Sequence, residues 1–357
     1  MPPATVKPAS LRQAGGVPAA RAPGRVTIIG DHTDYNAGRS LAMAIELATE
    51  VDFRPKPGSF VFGIDSDAFP GNPVEIMLGD TAPVRAEAAL AAGLLRLQPR
   101  PSGGVARVTS TLPVGAGLSS SAAFAVAFLL ALGHDPDPLA LARACQEAER
   151  GAGSHVGLLD PLAIAGASAG HALHIDFDDL ETRQVAIPDE AAFVIVHSET
   201  PRLLTDTPYA ARRAECERAA HILGRPLGLC ALGDLSGLSD PVLRRRARHV
   251  ITECARVGEA ERLLARGNLS GLGAVMTEGH RSLATDFRVS LPAIDELVEH
   301  LLGLPGVLGA RMSGGGFGGC VLALCRPDSP GLDPETHGSR RSWRVSPAAG
   351  ATRLGTS

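Results

Sequence analysis

Aromatic side chains are scarce in this chain, with one Trp, two Tyr and ten Phe among 357 residues. The core must therefore be built mainly from Ala, Leu and Val. Charge of one sign is also lacking: 34 basic against 38 acidic side chains leave a net charge near −4. That balance gives no electrostatic reason to expect nucleic acid or an anionic membrane as a partner. No stretch approaches the length of a membrane span, and the N-terminus has no continuous apolar signal region. The six cysteines (Cys145, Cys216, Cys230, Cys254, Cys320 and Cys325) form no close CxxC pair and have no metal-ligand spacing. They read as free, buried thiols of a reducing compartment, so a cytoplasmic protein is expected. Internal repeats and long low-complexity tracts are missing as well.

Glycine (41) and proline (27) are plentiful, which points to many loops shaped by the backbone. The length allows two packed domains or one large one. Met1–Val17 reads as a loose leader. Strand signals lie at Arg25–Ile29, across Val51–Asp65 with a turn, and at Val105–Thr111, His171–Phe177, Ala192–His197, Val321–Cys325 and Trp343–Val345. Helical spacing is found at Val84–Leu97, Ala122–Leu132, Pro138–Arg150, Pro208–Leu223, Pro241–Ala265, Leu269–Asp286 and Leu291–Leu302. Strands and helices come in runs, which predicts an α+β fold rather than alternating βαβ units.

Two segments carry chemistry. The first is Pro113-Val114-Gly115-Ala116-Gly117-Leu118-Ser119-Ser120-Ser121, between a strand and a helix that is apolar all round. The glycines let backbone N–H groups approach an anion, and the helix offers its free N–H groups and positive dipole end. Together they form a cradle for a polyphosphate, although a tight turn capped by serines has the same local sequence. No Gly-Lys-Ser/Thr follows, which excludes a Walker A loop, and the third glycine of a dinucleotide fingerprint is missing. The second segment is the unbroken polar run Asp31-His32-Thr33-Asp34-Tyr35-Asn36, directly after the Arg25 strand. Carboxylates accept hydrogen bonds from neighbouring sugar hydroxyls; a plain polar turn is the alternative.

Gly24–Asn36 closely resembles the signature of the galactokinases. Pro113–Ala122 and Ala310–Cys320 resemble the second and third shared motifs of the wider GHMP kinase superfamily. Tyr209–Cys216, His280–Leu283, Asp286 and Ser290 are also similar to galactokinases. The resemblance covers about residue 20 to 325. It implies an α+β, two-domain GHMP kinase fold with the active site in the interdomain cleft, divided here as residues 18–175 and 176–357. It also implies ATP-dependent phosphorylation of the anomeric hydroxyl of galactose, with ATP and Mg²⁺ required. The expected partners are a small-molecule sugar and ATP, and the expected state is a monomer. Carried over residue by residue, Gly115, Ala116, Gly117, Leu118, Ser119, Ser120 and Ser121 would wrap the ATP phosphates. Ser121 and Glu149 would hold Mg²⁺. Asp31, His32, Asp34 and Tyr209 would bind the sugar. Asp160 would be the catalytic carboxylate and Arg25 its transition-state partner.

The sequence departs from the family at Asp31, usually Glu, and at Pro161, usually Gln. The segment between Glu149 and Asp160 is short and glycine-rich. These departures keep two alternatives in view: a kinase for another related sugar, or a catalytically silent sugar and ATP sensor.

Overall fold

The computed structural model describes residues 19–67, 73–79, 86–98, 101–113, 115–151, 157–200 and 207–355. The leader expected over Met1–Val17 and Val114 of the glycine loop lie outside the described residues. The strands are β1 (Ala19–Ile29), β2 (Arg39–Pro55), β3 (Val61–Ser66), β4 (Val74–Met77), β5 (Gly104–Ser110), β6 (His171–Asp176), β7 (Thr182–Ala186), β8 (Ala192–His197), β9 (Val307–Ser313), β10 (Cys320–Cys325), β11 (Ser342–Val345) and β12 (Thr352–Leu354). The helices are α1 (Ala86–Arg96), α2 (Ser120–Ala131), α3 (Pro138–Gly151), α4 (Leu159–Gly166), α5 (Thr207–Leu223), α6 (Pro241–Ala265), α7 (Leu269–Ser282) and α8 (Pro292–Leu302).

The strands form two sheets. The larger runs β12-β1-β2-β5-β3-β4, with β6 pairing the start of β2 and β7 pairing β6. The smaller is antiparallel, in the order β11-β8-β10-β9. The fold is the expected α+β arrangement. The division expected at 175/176 does not follow the strand pairing, however. β7 stays in the first sheet, and β12 returns to it from the end of the chain, placing Arg353 opposite Ala20.

Arg25–Ile29 are all buried, so side chains pointing to both faces of β1 are covered. The helices α2 and α4 pack on β1 and β2, and α6 and α7 also reach β1. α2 is apolar all round because Ala122 through Ala131, apart from Phe124, lies in the core. The two sheets are joined where β1 passes β9, the Thr27 N–H donating to Ser313 Oγ at 2.9 Å.

One helical expectation changes in detail. α7 stops at Ser282, and Leu283–Phe287 continues as a π-helical turn closed by Arg288 at φ 57°. Asp160, in a segment given no assignment from the sequence, stands in the first turn of α4, where the helix dipole favours a carboxylate. No described helix is long and apolar enough to cross a membrane.

Backbone lies directly on backbone between α7 and β9. A Cβ on Gly273 would lie 2.1 Å from the Leu308 carbonyl oxygen. Gly273→Val should therefore force the two apart and lower stability by about 2 kcal/mol or more. Equilibrium denaturation checks this, and an unchanged midpoint would refute the contact.

Candidate active site

The glycine loop and β1 meet edge to edge. The Arg25 N–H donates to the Leu118 carbonyl at 3.3 Å. This approach needs Gly24, because a Cβ there would lie 2.8 Å from the same oxygen. It delivers the Arg25 guanidinium to the loop and to α4 at once. Nη1 donates to the Gly117 carbonyl at 2.9 Å, and Nε donates to Asp160 Oδ1 at 2.8 Å. Asp160 Oδ2 accepts from Ser119 Oγ at 2.6 Å. Ser119 adopts φ 61°, a left-handed conformation that costs a non-glycine residue of order 1–3 kcal/mol. Strain of this kind is held in place by the surrounding contacts. Ser119, expected to face phosphate, therefore turns its hydroxyl to the carboxylate.

The other loop residues divide by role. Gly115 and Gly117 both have positive φ. The side chains of Ala116 and Leu118 are buried in the core, so only their backbone is available to a ligand. Ser120 and Ser121 begin α2, and Ser121 is exposed.

Asp34 opens a short 3₁₀ turn, Asp34–Asn36, and is brought to the same place as Asp160. A Cβ on Gly157 would fall 1.4 Å from Asp34 Oδ2, so the backbone just ahead of α4 lies against the Asp34 carboxylate. Burial, then the nearby Asp160 charge, push Asp34 up to about 6; hydrogen bonds from the 34 and 35 backbone and the Arg213 charge oppose this. Two carboxylates from residues 126 positions apart thus face one another, one held by Arg25 and Ser119.

His32 and Tyr209 stand together on the flank. The His32 ring lies 5.6 Å from Tyr209 and 4.6 Å from Phe287, centroid to centroid. Its Nδ1 is hydrogen-bonded to the Tyr35 hydroxyl at 3.0 Å. Burial raises the Tyr35 phenol well above its ordinary range, which keeps it protonated. Arg213 of α5 lies over the Tyr35 ring.

Asp31, expected beside Asp34, has different partners. It is 2% exposed, its Oδ2 paired with Arg311 at 2.7 Å and its Oδ1 accepting the Gly314 N–H at 3.0 Å. The same Arg311 nitrogen reaches Glu253 Oε1 at 2.9 Å. Glu253 Oε1 also accepts the Gly30 N–H at 2.9 Å, while its Oε2 takes Arg256. Burial alone would raise the Glu253 carboxyl, but Arg311, Arg256, His249 and the Gly30 N–H together bring it well below the usual range. Asp31 has mainly its share of Arg311 to oppose burial, and it is raised to about 6. His249, held neutral by burial, lies 3.2 Å from the Asp31 carbonyl. A carbonyl only accepts, so Nε2 carries the proton and Nδ1 accepts from Ser282.

Glu149 is buried in the last turn of α3, which packs on α2. Its carboxylate and the Ser121 hydroxyl are hard oxygen donors, of the kind magnesium takes when nucleotide phosphates fill its other positions. Among the described residues no group of three or more His, Cys, Asp or Glu side chains is arranged for a metal.

Sequence reasoning did not assign the Ser119–Asp160 bond, the close fit of Gly157 on Asp34, or any role for Arg311 and Glu253. Arg311 lies inside a recognised motif, but nothing in the sequence paired it with Glu253, 58 positions away.

Residues 13–55 match the galactokinase galactose-binding signature, residues 85–167 the GHMP kinases N terminal domain, and residues 260–332 the GHMP kinases C terminal domain. Fold and loops are those of a GHMP-type kinase. The human galactokinase is 37% identical, over 94% of this chain and 92% of that protein. A Mycobacterium tuberculosis galactokinase is 40% identical over 86% of this chain and 88% of its own. A crystal structure of Lactococcus lactis galactokinase complexed with galactose superposes with a TM-score of 0.89, at 26% identity, covering 95% of each chain. The chain belongs to the galactokinase family.

The proximity of Asp34 and Asp160 is open to direct measurement. The Asp34 carboxyl should titrate near pH 6 by ¹³C NMR, and Asp160→Asn should move that midpoint down by removing a like charge. A midpoint in the ordinary carboxylate range, unmoved by the substitution, would separate the two side chains.

Proposed function

We propose that this protein transfers the γ-phosphoryl group of ATP to the anomeric hydroxyl of galactose, giving galactose 1-phosphate and ADP. The observation that carries the proposal is the double hydrogen bonding of Arg25, to Gly117 in the phosphate loop and to Asp160 beside Asp34. The guanidinium fixes the distance between a nucleotide cradle and a carboxylate on the sugar side. Phosphoryl transfer through a loose transition state needs mainly such alignment, together with neutralisation of charge.

In this reading the N–H groups of the 115–121 loop and of the first turn of α2 hold the nucleotide phosphates. Ser121 and Glu149 hold Mg²⁺, which supplies positive charge beside those phosphates when bound. Asp34 accepts hydrogen bonds from sugar hydroxyls, and His32 and Tyr209 form the apolar and polar wall beside it. Asp160 orients the attacking hydroxyl and accepts its proton. The Ser119 and Arg25 hydrogen bonds hold the Asp160 carboxylate in one rotamer while it does so. Arg25 stabilises the charge that develops between donor and acceptor. Asp31 supports this site from behind and leaves sugar binding to the other three residues.

The proposed working unit is the monomer. Six free cysteines, five of them buried, suit a reducing cytoplasm.

ADP release measured across a panel of hexoses tests the proposal. Galactose should support turnover, and Asp160→Asn should lower kcat by about 10²-fold or more with galactose still bound. Turnover with another sugar alone, or with none, would overturn the substrate. Near-normal kcat in the variant would overturn the role of Asp160.

A further inference from the structure

Three loops meet at the Asp31 carboxylate. Through its own backbone it leads directly into His32 and Asp34. Through Oδ1 it accepts the N–H of Gly314, at the start of the third glycine-rich segment. That segment lies on the phosphate loop: a Cβ on Gly314 would be 3.2 Å from the Gly117 carbonyl oxygen, and one on Gly319 would be 3.3 Å from that of Ala116. Through Oδ2 it meets Arg311, which is fully buried and is held in turn by Glu253. Glu253 also grips the Gly30 N–H, so the chain ahead of Asp31 is fixed by the same group.

The cluster is a costly way to hold a fold together. Buried ion pairs often contribute less stability than well-packed apolar residues of equal volume. What this one does contribute is direction. Arg311 meets both carboxylates through Nη2 while its Nε donates to the Met312 carbonyl, and Asp31 has both oxygens committed, so the pair is held from several sides at once. Backbone that follows Asp31 cannot move independently of backbone that follows Gly314.

Resting on the function proposed above, we propose that Asp31, with Arg311 as its fixed counter-charge, is a positioning residue that couples nucleotide binding to sugar binding. Nucleotide on the 115–121 loop sets the Gly314 segment stacked upon it; the Gly314–Asp31–Arg311 contacts pass that setting to the turn carrying His32 and Asp34. Linkage requires the coupling to be reciprocal, with sugar tightening nucleotide by the same factor.

The test is calorimetric measurement of the galactose Kd with and without a non-hydrolysable ATP analogue and Mg²⁺. The native protein should bind galactose about fivefold or more tightly when the analogue is present. Asp31→Asn should reduce that factor to below about twofold while changing the galactose Kd without nucleotide by less than about threefold. Glu253→Gln retains the Asp31–Arg311 pair and an oxygen for Gly30, and should keep the factor. Should Asp31→Asn not fold, as judged by its melting transition, Arg311→Lys takes its place: it keeps the charge, loses the planar group that Nε anchors on the Met312 carbonyl, and should also lose coupling. The proposal is overturned if the native protein shows no coupling. It is equally overturned if Asp31→Asn, or Arg311→Lys in its stead, keeps the factor. A tenfold or greater loss of galactose affinity without nucleotide in Asp31→Asn would overturn it too, by making Asp31 a direct sugar ligand. Failure of the native protein to bind galactose would instead defeat the substrate assignment, and the coupling is then read with the sugar that supports ADP release.

Discussion

The site depends on one side chain with two partners. Arg25 leaves a buried strand and bonds both the Gly117 carbonyl and the Asp160 carboxylate. The first partner belongs to the loop between β5 and α2, the second to the first turn of α4. Together with the Ser119–Asp160 hydrogen bond, that bridge fixes the spacing of the two elements. With it, the glycine loop and a carboxylate face each other across a rigid, planar guanidinium. The rest of the site builds outward from this bridge. Ser119 takes a left-handed backbone to hold the other Asp160 oxygen, and Gly157 leaves room for Asp34.

A second buried charge cluster supports the first. Arg311, Glu253 and Asp31 join β9, α6 and the end of β1, elements drawn from both sheets and both ends of the chain. Removing one member of such a cluster leaves an uncompensated charge, at about 3–5 kcal/mol. The cluster fixes how the glycine-rich turn after β9 lies on the glycine loop between β5 and α2. Where β1 meets β9, backbone, hydroxyl and ion-pair contacts succeed one another within a few residues: Thr27 to Ser313, Asp31 to Gly314, and Asp31 to Arg311.

Much of this was legible in the sequence where local chemistry was unambiguous. The strand at Arg25–Ile29, the buried helix after the glycine loop and the long helix Pro241–Ala265 stand where their spacing placed them. The first half of β2, over residues 39–50, was not legible. It is rich in Ala, Leu, Met and Glu and is mostly buried, so neither alternation nor propensity marks it as a strand. β9 was hidden because Gly309 and a charged Arg311 sit in a strand that proves to be buried. The partners of Asp31 were not legible for a related reason. A polar run after a strand suggests a row of side chains facing one ligand, but His32 takes φ 64°, and the chain turns between Asp31 and Asp34. Only the paired arginine, 280 positions away, reveals which way Asp31 points.

In the proposed reaction Arg25 aligns donor and acceptor for the transfer itself rather than merely tying the loops. Single-turnover phosphoryl transfer in Arg25→Lys measures this directly, because lysine keeps the charge but cannot reach Gly117 and Asp160 together in the same fork. The transfer rate should fall by about 10²-fold or more, with galactose and nucleotide affinities within a few-fold of the native protein. A near-native transfer rate, or a loss confined to binding, would contradict it.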